Sequence, residues 1–174
     1  LLVAACATQP VPGPRTGYQP QTTAHLTGAV AVNPMDYRPR GGVAPQGSVR
    51  DVPGYVTNAL KAELRRAGAG LNSSRCVLDA TVRDFKVDRA GAEEHYGVDI
   101  HYVLAVGGNV QFDQAFGTTF TVARGQPVDR AVDDAIAKNL NFLLKDDWFA
   151  TLLLRSFMLG LPREDWIKQV VQNG

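Results

Sequence analysis

An excess of charge of either sign is missing from this chain: 18 Lys and Arg stand against 17 Asp and Glu, leaving a formal net charge of +1. A field that weak does not draw nucleic acid or another polyanion. No run of basic residues with interleaved aromatics makes up for it locally, so no nucleic-acid partner is expected. Long apolar runs are missing too. No stretch reaches the ~18 residues that a spanning helix needs; the nearest, Trp148 to Leu161, is interrupted by Arg155. Cysteine is scarce. Cys6 and Cys76 allow a single pairing, but their contexts differ: Cys6 follows small and apolar residues, whereas Cys76 falls in an alternating segment where a buried thiol is ordinary packing.

Catalytic and metal-binding patterns are equally thin. Of the three histidines, His25 stands near a proline-rich stretch, His95 beside Glu93 and Glu94 in what reads as a polar turn, and His101 on a strand. Glu93, Glu94, His95 and His101 are the best metal donors on offer, yet their spacing matches no known ligand set. The neighbouring pairs Asp133-Asp134 and Asp146-Asp147 read as solvent-facing charge on a helix, where adjacent residues diverge by about 100°. Ser48, Ser73, Ser74 and Ser156 have no nucleophile-elbow context, and Gly41-Gly42 and Gly107-Gly108 no phosphate-cradling strand-to-helix signature. The expectation is a protein that is not an enzyme and carries no metal and no cofactor.

What is present is the pattern of a small folded body. Hydrophobic residues make up 45% and charged residues 20% of 174 residues, within the range of a globular domain. Ala29 to Val32 reads as a first strand, followed by a loop from Asn33 to Arg50. A helix follows, with Asp51 as its cap, Pro53 in its first turn, and Val52, Val56, Ala59, Leu60 and Leu64 on one face. Arg65 and Arg66 suit its C-terminal end, and Gly68 and Gly70 its termination. Alternation predicts strands from Cys76 to Val87, from Ile100 to Val106 and from Val110 to Val122. The link Gly107-Gly108-Asn109 makes the last two a hairpin. A second helix is predicted from about Pro127, capped near Gln126 or Asp129, through Leu144, with a break or bend at Asp146-Asp147. Apolar residues continue from Trp148, and a closing helix is predicted after Leu161-Pro162. The predicted fold class is α+β: a two-layer arrangement of an antiparallel sheet of about four strands against two main helices, with a C-terminal helical extension.

The start of the chain is the most telling part. Val3-Ala4-Ala5-Cys6 resembles the bacterial lipobox, an aliphatic and two small residues before a cysteine. The resemblance implies cleavage before Cys6, lipidation of its thiol and acylation of the new amino group. Residues 1–5 would then be the remnant of a signal peptide. Several acyl chains anchor durably where one does not. Ala7 stands where an inner-membrane retention signal usually has Asp, which favours the outer membrane. Thr8 to Gln21 carries Pro10, Pro12, Pro14 and Pro20, a composition that stays extended. The expected organisation is therefore a lipidated spacer over 6–23, an α+β domain over 24–150 and a helical extension over 151–174.

With these features together the chain resembles the small lipoproteins of the Gram-negative envelope: the YajG-type family, the lipopolysaccharide-assembly lipoproteins and the auxiliary lipoproteins of envelope transporters. The match is one of pattern, resting on Cys6, the helix from Val52 to Leu64, the strand from Ile100 to Val106 and the helix from Val128 to Leu144. It implies a membrane-anchored, periplasm-facing, non-catalytic assembly subunit. The long loop and apolar tail suggest a protein partner or self-association in a ring, as is thought of some exopolysaccharide-secretion lipoproteins. Trp148, Phe149, Leu152, Phe157, Met158 and Trp166 are the candidate interface. The alternative is a monomeric carrier of lipid, glycan or peptide, with Phe112, Phe116 and Phe120 lining its groove.

Overall fold

A computed structural model describes residues 17–39, 51–88, 91–125 and 127–160. Its centre is an antiparallel meander of three long strands: β3 (Cys76–Asp88), β4 (Glu93–Val106) and β5 (Asn109–Ala123). Alternation decides their faces. On β4, Glu94, Tyr96, Val98, Ile100, Tyr102 and Leu104 are buried while the residues between them are more exposed. The β4–β5 turn is made by Gly107 and Gly108, both at positive φ (60° and 84°), a pair that suits the twist of a tight hairpin.

Two short strands, β1 (Ala31–Val32) and β2 (Asp36–Tyr37), lie parallel to β3 along its other edge, giving the sheet order β1-β3-β4-β5 with β2 further along β3. The fold is the expected two-layer α+β arrangement; among the described residues its sheet has five strands and is mixed, because β1 and β2 add parallel to β3. Residues expected to begin a long loop after Val32 instead stay on the sheet. Pro34 interrupts the pairing, since it has no N–H to give, but Met35 is buried with its N–H on the Thr57 hydroxyl (3.0 Å). Pairing resumes at Asp36. The remainder of that predicted loop, 40–50, lies outside the described residues.

Among the described residues, three helices cover one face. Helix α1 (Val52–Arg66) begins as its sequence predicts, with the Asp51 carboxylate accepting from the Gly54 N–H at 3.0 Å. It ends where Gly68 adopts a φ of +94°, a conformation suited to glycine after a helix. Helix α2 (Val128–Leu144) has Pro127 at its N-cap position with no side-chain cap, so Asp129 stands in the first turn and does not cap it; Gln126, the other expected cap, lies outside the described residues. Lys145 closes α2, and α3 (Asp147–Gly160) follows at once. The break at Asp146 is explained by capping: its carboxylate accepts from the Phe149 N–H at 2.9 Å and its carbonyl from the Ala150 N–H at 3.0 Å. The core lies between these helices and the sheet, where Leu60, Leu64, Leu78, Ile100, Leu104, Ile136, Leu140, Leu143 and Phe149 are fully buried. The closing helix predicted after Leu161 falls outside the described residues.

Candidate functional site

Three places in the fold bear on function: the docking of the N-terminal strap, a groove beside α2, and the edge of β5. Cys6 and Trp166 lie outside the described residues.

The strap from Tyr18 to Leu26 lies on the helical layer, held by a buried glutamate. Glu63 stands on the apolar stripe of α1, fully buried. One of its carboxylate oxygens, Oε1, accepts from the Tyr18 hydroxyl and from the Gln21 N–H (2.8 Å); the other, Oε2, accepts from the Thr22 N–H (2.8 Å). Three donors on one carboxylate are a charge-assisted clamp. Burial, then the hydrogen bond to Glu63, pushes the Tyr18 hydroxyl well above its ordinary pKa and keeps it a donor. Around the clamp, the Arg66 side chain donates to the Thr22 carbonyl (2.9 Å), Gln21 to Asp134 (2.8 Å) and Thr22 to Asn141 (2.8 Å). The strap therefore ties α1 to α2. The same helices are joined by Tyr55, whose hydroxyl donates to Asp133; burial and that bond raise its pKa. Asp133, expected to be solvent-facing, is only 4% exposed, because the Tyr55 hydroxyl draws it inward.

The groove has a volume of about 880 Å³ and runs along α2 beside β5. Phe116, Phe120, Phe142, Lys138, Asn141 and Lys145 are among its lining residues, with Gln21 of the strap at its margin. Phe116 stacks on Phe142 (ring centroids 6.0 Å apart, 22° between planes), and the Lys138 ammonium sits over Phe120 at 5.9 Å. Of the predicted groove residues, Phe116 and Phe120 are there. Phe112 is not. It is 3% exposed and packs edge-on against Phe149 in the core.

The predicted interface residues are likewise divided. On α3 Phe149 and Leu152 are both buried, Phe149 against Phe112 of β5, so they belong to the core of the monomer and not to its surface. Phe157 and Met158 are half-buried. Trp148 is 47% exposed, its indole N–H donating to the Gln111 carbonyl of β5 at 3.0 Å. Phe142, Val110, Leu154 and Leu159, exposed as well, were not singled out in the sequence.

The suggested metal donors are scattered by strand alternation. Glu93 to His95 are in β4, not in a turn. Glu94 is buried and accepts from the Tyr96 hydroxyl (2.7 Å), whereas His95 meets Thr121 on the other face (3.2 Å). His101 pairs with Asp113 at 2.6 Å on that same outer face. Among the described residues no three His, Cys, Asp or Glu side chains are placed to hold a metal ion, and no helix is long and apolar enough to cross a membrane. Cys76 is buried, with a free thiol. Asn139, missed in the sequence, is a buried tie at the centre of the fold. Its amide donates to the carbonyls of Val98 (3.1 Å) and Phe116 (2.6 Å) and accepts from the Tyr102 hydroxyl (2.9 Å).

Neither a scan of protein-family models nor a search of curated proteins gives a match. Solved structures do. The fold is one seen before. Protein XCC0632 from Xanthomonas campestris, family DUF330, is similar with a TM-score of 0.52 and 15% identity, covering 80% of this chain and 92% of that one. Lipoprotein GNA1162 from Neisseria meningitidis gives 0.42 and 11% identity over 67% of this chain and 97% of its own. The PelC dodecamer from Paraburkholderia phytofirmans gives 0.41 and 21% over 69% and 92%. At these identities the likeness is one of fold. The Xanthomonas protein shares the architecture, and lipoproteins are among the weaker neighbours.

Proposed function

We propose that this protein is a lipid-anchored envelope lipoprotein whose domain faces the periplasm from the outer membrane and acts as a non-catalytic assembly subunit. The observation that carries the reading is Val3-Ala4-Ala5-Cys6 followed by a proline-rich spacer. The strap supports it mechanically. A tether from Cys6 to Tyr18 spans at most roughly 40 Å when extended, so a domain held by it stays close to the bilayer. At its end the tether is gripped by Glu63 on α1 instead of running free. Among the described residues the three buried carboxylates have structural partners: Glu63 holds the strap, Glu94 takes the Tyr96 hydroxyl and Asp133 takes that of Tyr55, while the partly exposed Asp99 has one buried oxygen, Oδ1, without a hydrogen bond. Exposed apolar side chains at Phe142, Trp148 and Leu159 supply surface for a protein partner.

The test is fractionation of cells expressing the full gene with Cys6 or with Cys6→Ser. The reading expects the first in the outer membrane, released only by detergent, and the second free of it. Equal partition of the two overturns the anchor. One observation favours a second reading, a carrier of lipid, glycan or peptide: the groove joins Phe116, Phe120 and Phe142 beside polar groups, the usual make-up of a ligand site. Lipid or glycan co-purifying with the protein, and lost on Phe142→Asp, would decide for it.

A further inference from the structure

Among the described residues no strand pairs with β5 beyond β4. The Asn139 amide meets the carbonyls of Val98 and Phe116 in the space between β4 and β5, so the even-numbered residues here bond inward to β4. In an antiparallel ladder the alternate residues then point N–H and C=O outward. The Thr119 carbonyl does so, meeting the Lys138 ammonium at 3.0 Å from outside, and Gln111 likewise receives Trp148. Between these two closed carbonyls lie Asp113, Ala115 and Gly117. Natural edges are blunted by lysine, proline or a bulge. From Phe112 to Thr118 this edge has no lysine, no proline and no bulge and a single charge, Asp113; the β4–β5 irregularity lies directly before it, at Gln111, which is skipped between the Phe112–Leu104 and Val110–Ala105 pairs.

We propose that this edge pairs with the same edge of a second copy, antiparallel and two-fold about Ala115. That register sets Ala115 opposite Ala115 and Asp113 opposite Gly117, so no like charges meet, and it forms about six backbone hydrogen bonds. On the helical face Phe116 lies opposite Gln114 and Phe112 opposite Thr118, so no rings collide. The closed ends fall together: the ladder stops at the bulged Gln111, which carries Trp148, near the second copy's Thr119 and Lys138, bringing a cation towards an indole. A second copy matches both ends at once, which a single added peptide strand does not. Helix α2 lies over β5, so pairing brings two α2 helices together and covers the exposed Phe142. The inference deepens the assembly-subunit reading and rests on it for its purpose, though the pairing itself needs no anchor.

The experiment measures the protein mass of the full chain in detergent by size exclusion with light scattering, for wild type, Ala115→Lys, Ala115→Glu and an equal mixture of the two variants. Ala115 is exposed and its side chain lies on the open face of the sheet, so neither substitution disturbs the core. Wild type is expected at twice the 18.8 kDa chain mass or a higher even multiple. Each variant alone falls to half that mass, because like charges face each other across the two-fold axis, and the mixture returns to the wild-type value. That recovery also shows that both variants fold. A monomeric wild type, a variant that keeps its mass, or a mixture that stays halved each overturns the pairing. Repeating the wild-type measurement with Cys6→Ser separates the two readings: an unanchored dimer leaves the pairing standing whatever becomes of the lipid anchor.

Discussion

Replacing Glu63 by Gln should detach the strap, and the structure indicates by how much. Glutamine keeps the size of the side chain but turns one acceptor oxygen into an NH2 group. Both oxygens face donors: the Tyr18 hydroxyl and the Gln21 N–H on one, the Thr22 N–H on the other. Whichever way the amide is turned, a donor meets a donor, and the remaining bonds lose their charge assistance. A hydrogen bond to a charged group contributes about 1.5–3 kcal/mol, and a buried donor left unpaired costs about 1–3 kcal/mol. The local loss would reach roughly 3–5 kcal/mol if the strap stayed in place. It need not stay, because Tyr18 to Thr22 can move into water and satisfy their groups there. The global loss is then limited to the docking energy of the strap, about 2–3 kcal/mol. At a urea m-value of about 2 kcal/mol per M, the midpoint falls by about 1–1.5 M. Hydrogen exchange supplies the local signature: the amides of Gln21, Thr22 and Leu26, the last bonded to the Ala67 carbonyl (2.7 Å), lose protection before those of β4. A midpoint shift under about 0.3 M with these amides still protected would refute the clamp.

Two further outcomes follow from single features of the fold. Gly28 has a φ of +127°, and a Cβ there would stand 2.6 Å from the Leu153 carbonyl oxygen of α3. Gly28→Ala is therefore expected to cost about 2–4 kcal/mol and lower Tm by roughly 6–15 °C; an unchanged Tm in a thermal scan contradicts the close approach. Stability should also fall in alkali. Burial, with Asp99 adding to it, raises the Tyr102 hydroxyl pKa well above its ordinary value, and Tyr18 and Tyr55 are raised as well. A raised pKa stabilises the fold fully below the unfolded value near 10, and the contribution is lost as pH climbs from there towards the folded value. Urea midpoints should be level to about pH 9 and then decline, with Tyr102 alone giving a slope of up to about 1.4 kcal/mol per pH unit. Tyr102→Phe should flatten the decline, and an equal decline in that variant argues against the assignment.

Much of this fold was legible because periodicity and turn chemistry agree. The α1 boundaries follow from Asp51, Pro53 and Gly68, and the β4–β5 hairpin from Gly107-Gly108. The early start of β4 was hidden by Glu93-Glu94-His95, whose charge suggests a turn. The ladder runs through them because β3 and β5 are long enough to pair on both sides and Tyr96 takes up the buried Glu94. β2 was hidden because two residues beside a proline carry no pattern; pairing with β3 and the burial of Met35 decide it. Glu63 and Asn139 left a usable signal. Each is a polar residue on the apolar stripe of its helix, next to Leu64 and Leu140, and such a residue implies a buried partner. The partners themselves, Tyr18 and Thr22 in one case and Tyr102 in the other, lie tens of residues away and only the fold brings them together. Phe112 and Phe116 show the same limit for the groove: they share a face of one strand, and only the placement of α2 and α3 decides which is core.

The central claim is the anchor, and the intact mass of the protein recovered from the membrane of a Gram-negative host expressing the full gene tests it most directly. The account predicts a chain that begins at Cys6 and carries the added mass of a diacylglycerol and an amide-linked acyl chain, with both lost in Cys6→Ser. A protein whose Cys6 is internal and unmodified contradicts it.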